Sequence, residues 1–206
     1  MFLFFLKIIL YIPFLIFFPT KIYGKKNKRL KGKAIYASNH LSNIDIVCHV
    51  IHTAKKDYVL AKKELFKPKL WGAIVKNVGG IKIDRKGVDI TALKQCLSVL
   101  KKGKKLFIFP EGTRNRTDAP LLQIKPGASL IAIKTKTPII PVAILRRKQH
   151  AFSKTYMLYG EPFELSEFYG EKLNEENLAK ANKIIEQKML ENIENLKKIR
   201  SKKKKS

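Results

Sequence analysis

Ala34-Ile35-Tyr36-Ala37-Ser38-Asn39-His40-Leu41-Ser42-Asn43-Ile44-Asp45 joins two unlike patterns within twelve residues. Residues 34–37 form a short apolar and aromatic run of the kind that fills a buried strand, and a helical pattern opens at about Asn43 and continues to Ala54. A strand that empties through a polar loop into a helix is the repeating unit of an α/β domain. The unit recurs downstream, with strands predicted at Tyr58–Ala61, Gly80–Ile83, Lys105–Phe109, Ile139–Ile144 and Tyr156–Tyr159. Helices are predicted between them at about Lys63–Val75, broken around Pro68, and at Val88–Lys102 and Ala128–Thr135. Gly103 stands where a left-handed helix cap is wanted. With no repeat and no internal boundary, residues 34–170 are expected to form a single α/β domain, a mostly β central sheet flanked by helices.

Open α/β sheets build their sites at the carboxyl ends of strands, and three predicted strand ends carry unusual residues. The first is the opening stretch itself. On one continuous helix, His40 and Asp45 would lie about 140° apart and could not meet. With His40 in the loop and Asp45 in the first helical turn, the carboxylate can receive the Nδ1 proton and leave Nε2 free as a general base. A structural role is also open: Ser42 to Asp45 resembles a capping box, with the acid favouring the positive end of the helix dipole. His49 and His52, further along the helix, make no metal-ligand spacing and read as exposed or as satisfied partners. The second strand end is Phe109-Pro110-Glu111-Gly112-Thr113-Arg114, which presents a carboxylate, a flexible glycine and a guanidinium suited to bidentate phosphate binding, or forms a turn with a surface ion pair. The third is Gly80-Ile81-Lys82-Ile83-Asp84-Arg85. The chain has neither a P-loop nor a GxSxG nucleophile elbow. A base without a protein nucleophile points to activation of a hydroxyl on the substrate itself.

The ends of the chain differ from this middle. Its 206 residues hold 43 Lys and Arg against 16 Asp and Glu, a net charge of +27, with 45% hydrophobic residues. That apolar content excludes a wholly disordered polycation, and the charge calls for an anionic partner, nucleic acid or membrane. Fourteen of the excess charges sit in two clusters, residues 21–33 and 197–205, leaving 13 for the rest. Ahead of the first cluster, residues 2–18 are almost wholly apolar, interrupted by Lys7 and Pro13. Their length as a helix is roughly 25 Å, short of the hydrocarbon core. A signal peptide would carry its charge before the apolar run. A spanning helix and a monotopic anchor both remain open, and both leave the following domain on the cytoplasmic face. Residues 1–20 are therefore read as a hydrophobic membrane anchor and 21–33 as a basic juxtamembrane segment attracted to anionic lipid. Residues 171–200 carry an amphipathic helix with Leu178, Ala181, Ile185, Met189, Ile193 and Leu196 on one stripe, and 201–206 read as a basic disordered tail. Cys48 and Cys96 form neither a metal spacing nor a disulfide framework.

Four blocks in order resemble the glycerolipid acyltransferases. Asn39-His40-Leu41-Ser42-Asn43-Ile44-Asp45 resembles that family's NHx4D motif, Ala61–Arg85 its second block, FPEGTR (residues 109–114) its third, and Thr137–Val142 its fourth. Asn43 departs from a position that is commonly aromatic, which bears on acyl-chain preference. The resemblance implies transfer of a fatty acyl group from an acyl-CoA or acyl carrier protein thioester to the sn-2 hydroxyl of lysophosphatidate, giving phosphatidate for phospholipid synthesis. Glycerol 3-phosphate and other lysophospholipids are alternative acceptors. It implies His40 as the base and Asp45 as its orienting acid, Arg85 and Arg114 on the substrate phosphate, and Glu111, Gly112 and Thr113 shaping the glycerol site. Lys62 is a further phosphate ligand, with Lys63 as its competitor for the inward position. No metal or bound cofactor is implied. The expected partners are anionic membrane lipids rather than nucleic acid, at the cytoplasmic face of the inner or plasma membrane.

Overall fold

The computed structural model describes residues 13, 14, 16–53, 56–84, 87, 89–146 and 152–205. Most of the apolar segment read as an anchor lies outside the described residues. Among the described residues, no helix is long and apolar enough to cross a membrane.

Seven strands make one mixed sheet: β1 (Thr20–Tyr23), β2 (Ala34–Ser38), β3 (Tyr58–Lys62), β4 (Gly80–Ile83), β5 (Lys105–Ile108), β6 (Ile139–Arg146) and β7 (Thr155–Tyr159), in the order β1-β7-β6-β2-β5-β3-β4. The five strands from β6 to β4 run parallel. β7 is antiparallel to β6, and β1 is parallel to β7. Every residue of β2 is buried, as a strand covered on both faces requires. Its side chains alternate between two cores. Ile35 and Ala37, with Leu106 and Ile108 of β5, face α4 (Ile90–Lys101), α5 (Gly127–Thr135) and α6 (Glu175–Lys205). Ala34 and Tyr36, with Phe107, face α2 (Ile44–Ile51). Two shorter helices, α1 (Lys25–Lys28) and α3 (Lys69–Asn77), complete the α set. Pro68 is extended (φ −69°, ψ 119°) and separates α3 from a 3₁₀ turn at Lys63–Phe66, because its ring clashes with a continuing helix. Gly103 caps the end of α4 at φ 70°.

Two segments differ from the sequence reading. Residues 21–33, read as a juxtamembrane segment, contain most of the edge strand β1 and the whole of α1. Two of their cations are engaged internally: Lys28 Nζ donates to the His52 carbonyl at 2.7 Å, and Lys33 Nζ donates to the Thr135 carbonyl. The strand escaped notice because its four residues carry no alternation of burial, and its partner β7 lies more than 130 residues away. At the other end, α6 continues to Lys205, into the residues read as a disordered tail; lysine is a good helix former and nothing interrupts the pattern. The stripe from Ala181 to Leu196 is buried, and Asn192 Nδ2 donates to the Pro141 and Leu158 carbonyls at 2.9 and 3.0 Å, tying α6 to β6 and β7.

Beneath α2, His49 is fully buried with Nδ1 2.8 Å from Tyr159 Oη and Nε2 2.9 Å from Asp57 Oδ2. It is a satisfied partner that pins the helix to the sheet. Burial lowers its pKa below the ordinary 6.5 despite the Asp57 carboxylate. The unfolded chain therefore takes up a proton near pH 6.5 that the folded chain refuses until a lower pH. As the pH falls through that interval, stability is expected to decline by about 1 kcal/mol per pH unit. Chemical denaturation of wild type and His49→Gln between pH 7 and pH 5 should show a shallower decline in the variant, where half-buried His52, also held below 6.5, still contributes.

Candidate active site

The carboxyl ends of β2, β5, β3, β4 and β6 share one edge of the sheet, and the candidate residues lie along it. β2 ends at Ser38, and the chain turns out of the sheet at Asn39. The Asn39 side chain continues the ladder in place of backbone: Nδ2 donates to the Ile144 carbonyl at 3.0 Å, and Oδ1 accepts from the Ile144 N–H at 2.8 Å. His40 follows, 6% exposed, with Nδ1 3.2 Å from Asp45 Oδ2. Its ring stacks on Phe109 at the end of β5, with centroids 3.9 Å apart and planes 18° from parallel. The carboxylate fixes one ring nitrogen and Phe109 fixes the ring plane. Nε2 has no hydrogen-bond partner among the described residues.

Asp45 makes the contacts that both readings of the sequence require. Its Oδ2 faces His40 and also accepts the Leu41 and Ser42 N–H groups at 2.7 and 2.6 Å, the reach-back of a capping box. Ser42 is a weak cap, with Oγ 3.4 Å from the Ile44 N–H. Behind Asp45 stands a residue that sequence reasoning missed. Arg146, the last residue of β6 with a side chain 3% exposed, places Nη1 3.4 Å from Asp45 Oδ1. That separation is an ion pair without hydrogen-bond alignment, and Oδ1 is otherwise unpartnered. Arg146 is held in turn by Thr155 Oγ1, 2.8 Å from Nε, and by the Cys48 sulfur, 3.7 Å from Nη2. The basic run Arg146-Arg147-Lys148, just past the strand read at Ile139–Ile144, was the only signal in the sequence.

Glu111 sits 2% exposed in the middle of the site, and backbone uses both its oxygens: Oε1 accepts the His40 N–H at 2.6 Å and Oε2 the Leu122 N–H at 2.9 Å. Burial raises its pKa, and the two N–H groups oppose the rise. Glu111 thus braces the His40 loop against the segment leading to α5. The His40 carbonyl accepts the Asn115 N–H at 2.7 Å, a second brace on that loop. Gly112 turns the chain at φ 68°, where its N–H donates to the Phe109 carbonyl. A side chain there would collide with Lys125, whose Cε lies 2.9 Å from the position a Cβ would take. Lys125 therefore lies across the loop, a cation the sequence reading passed over. Thr113 is exposed and Arg114 half-buried, with no acidic partner for Arg114 among the described residues.

The other candidates lie further along the edge. Lys62 ends β3, is more than half exposed and pairs with Glu64 at 3.6 Å. Lys63 pairs with Asp84, just beyond β4. Arg85 lies outside the described residues. Both cysteines are free and buried, and burial pushes both thiols up. Among the described residues, no group of His, Cys, Asp and Glu is disposed to hold a metal ion.

An oriented imidazole at the carboxyl edge of a parallel sheet, beside a glycine loop, with one ring nitrogen and nearby cations unpaired among the described residues, is equipped for group transfer by general base catalysis. The chain belongs to the acyltransferase family, whose model matches residues 19–145. It is 29% identical over 154 residues to a 1-acyl-sn-glycerol-3-phosphate acyltransferase of Bacillus subtilis, covering 72% of this chain and 76% of that protein. A Streptococcus pneumoniae protein of the same name is 31% identical over 150 residues, with 70% of this chain and 54% of that one covered. A chloroplast enzyme of that name from Brassica napus is 31% identical over 132 residues, covering 63% of this chain and 38% of that protein. In fold, the chain is similar to the 1-acyl-sn-glycerophosphate acyltransferase of Thermotoga maritima, with a TM-score of 0.65 at 24% identity over 88% of this chain and 72% of that one.

Proposed function

We propose that this chain transfers a fatty acyl group from a thioester to the sn-2 hydroxyl of lysophosphatidate, forming phosphatidate. The observation that carries the reading is His40, clamped by Asp45 and Phe109 with Nε2 unpartnered among the described residues. The names of the Bacillus and Streptococcus relatives support the acceptor.

In this mechanism His40 Nε2 takes the acceptor hydroxyl proton as the oxygen attacks the thioester carbonyl. Asp45 Oδ2 holds Nδ1 and stabilises the imidazolium that forms. The tetrahedral intermediate places negative charge on the former carbonyl oxygen, and preorganised N–H groups are the means of supporting it. The Gly112 N–H is already donated to Phe109, so Thr113 and Arg114, whose N–H groups have no acceptor among the described residues, fill that role. Collapse expels the thiolate, which recovers the proton from His40. Arg114 and Arg85 bind the phosphate, with Lys62 as an outer contact; Glu111 acts on the acceptor site through the loop it braces. Acyl-CoA or acyl carrier protein serves as donor substrate, and no bound cofactor enters the steps. The apolar chains of the acceptor and product favour a membrane surface for the reaction, and the soluble acyl-CoA or acyl carrier protein donor favours its cytoplasmic face.

The test crosses the two donors with lysophosphatidate, glycerol 3-phosphate and lysophosphatidylcholine. Thiol release is expected with lysophosphatidate at least about tenfold faster than with the choline lipid, whose phosphate is a diester and offers the cations less charge. Preference for glycerol 3-phosphate would move the assignment to the alternative acceptor.

A further inference from the structure

The large apolar side chains left exposed among the described residues are Ile16, Phe17, Val47, Leu65, Leu70, Trp71, Ile90 and Phe152. Their places in the topology coincide. Ile16 and Phe17 precede β1, which runs against the parallel strands and so begins at their carboxyl edge. Phe152 lies between β6 and β7 at the same edge, with its ring centroid 5.2 Å from that of Phe17. Val47 is on the first turn of α2 after β2, and Ile90 is the first residue of α4 after β4. Leu65, Leu70 and Trp71 occupy the 3₁₀ turn and the first turn of α3, after β3. Seven strands about 4.8 Å apart make this edge roughly 30 Å long. His40 stands near its middle, between the apolar pair Phe17 and Phe152 at one end and Leu65, Leu70 and Trp71 at the other.

The second end of this rim has the chemistry of a lipid headgroup layer. Leu70 is 80% exposed and Trp71 52%, in a first helical turn that no described residue covers. Lys67 and Lys69 flank them, exposed and without an acidic partner among the described residues, while Glu64, the one acid of residues 62–71, is paired with Lys62. Exposed leucine and tryptophan beside unpaired lysines suit the boundary between acyl chains and anionic headgroups. A large apolar protein partner does not require the lysines, and a nucleic acid does not require Leu70.

We propose that the carboxyl edge of the sheet, and the Leu65, Leu70 and Trp71 rim in particular, lies against an anionic bilayer, so that the domain docks on the membrane at a second point remote from its N-terminal segment. The proposal rests on the reading of the acceptor as a membrane lipid. It places His40 over the lipid surface, with contact on both sides of the site. A single N-terminal tether leaves the orientation of the domain free, whereas two contacts about 30 Å apart fix it.

Trp71 is the only tryptophan in the chain, so its emission reports on this rim alone. Full-length protein would be placed with vesicles of phosphatidylcholine and phosphatidylglycerol whose acyl chains are brominated near the headgroup. Trp71 emission is expected to fall at least about twofold relative to unbrominated vesicles, as for an indole seated in the interface. Unquenched emission from protein that floats with the vesicles would overturn the proposal. So would a blue shift that grows with protein concentration in the absence of lipid, which marks a second copy as the occupant. This arm needs no turnover, so its failure is distinct from failure of the acyl-transfer reading. In a second arm, Leu70→Glu is expected to slow reaction with long-chain acceptor in vesicles roughly tenfold and to leave a short-chain, water-soluble acceptor unaffected. Equal loss with both acceptors would show that Leu70 serves the chemistry and not the surface.

Discussion

His40→Ala is expected to lower acyl transfer by about a thousandfold, within the range for loss of a general base, while the protein stays folded. The second half of that expectation comes from the loop. What holds residues 39–41 in place is main chain and neighbouring side chains: the His40 N–H on Glu111, the His40 carbonyl on Asn115, the Asn39 amide on Ile144, and the Leu41 N–H on Asp45. None of these uses the imidazole. Thiol release from acyl-CoA or acyl carrier protein, measured with and without lysophosphatidate, reads the activity, and thermal unfolding reads the fold. Undiminished turnover in a folded variant would remove His40 from the mechanism and with it the acyl-transfer chemistry derived above.

Asp45→Ala should act on both readouts. The carboxylate is fully buried and meets His40 Nδ1, two backbone N–H groups and the Arg146 guanidinium. Its removal leaves a buried cation and two half-buried donors uncompensated, a destabilisation of about 3–5 kcal/mol. Activity should fall at least about a hundredfold through misorientation of the ring. The double variant Asp45→Ala/Arg146→Met separates the two effects. Removing the orphaned cation should restore much of the lost stability and none of the activity. Denaturant midpoints and initial rates on the same three proteins make the comparison; recovery of activity in the double variant would mean that Asp45 serves only to neutralise Arg146.

The sequence displayed His40 and Asp45 because they are five residues apart and the loop-to-helix switch lies between them. It displayed the strand Gly80–Ile83 and the buried stripe of α6 for a similar reason, since local periodicity fixes which face is apolar. What it did not display is set by contacts distant along the chain. Arg146 reaches Asp45 from the far end of β6, and Phe109 reaches His40 from a strand seven tens of residues later, so neither leaves a local pattern. Glu111 shows the limit in another way. Its place in the loop was legible, but the engagement of both its oxygens by backbone was not, because that depends on where Leu122 returns. β1 was hidden by composition: a lysine-rich segment next to an apolar run reads as membrane-facing until a parallel partner strand is in view.

The Asn39 amide, described above as an extension of the β2–β6 ladder, also bears on how the reaction starts. A loop that carries a base normally retains conformational freedom, which must be given up each time reactants are aligned. Here Asn39 is fastened to Ile144 through both ends of its amide, and the next residue, His40, is fastened through both its N–H and its carbonyl. The entropy of ordering that loop is lost once, on folding, and does not recur at each turnover. The barrier that remains belongs to bringing two lipid-derived molecules together, so arrival and departure at the surface, more than motion of the base, would set the pace.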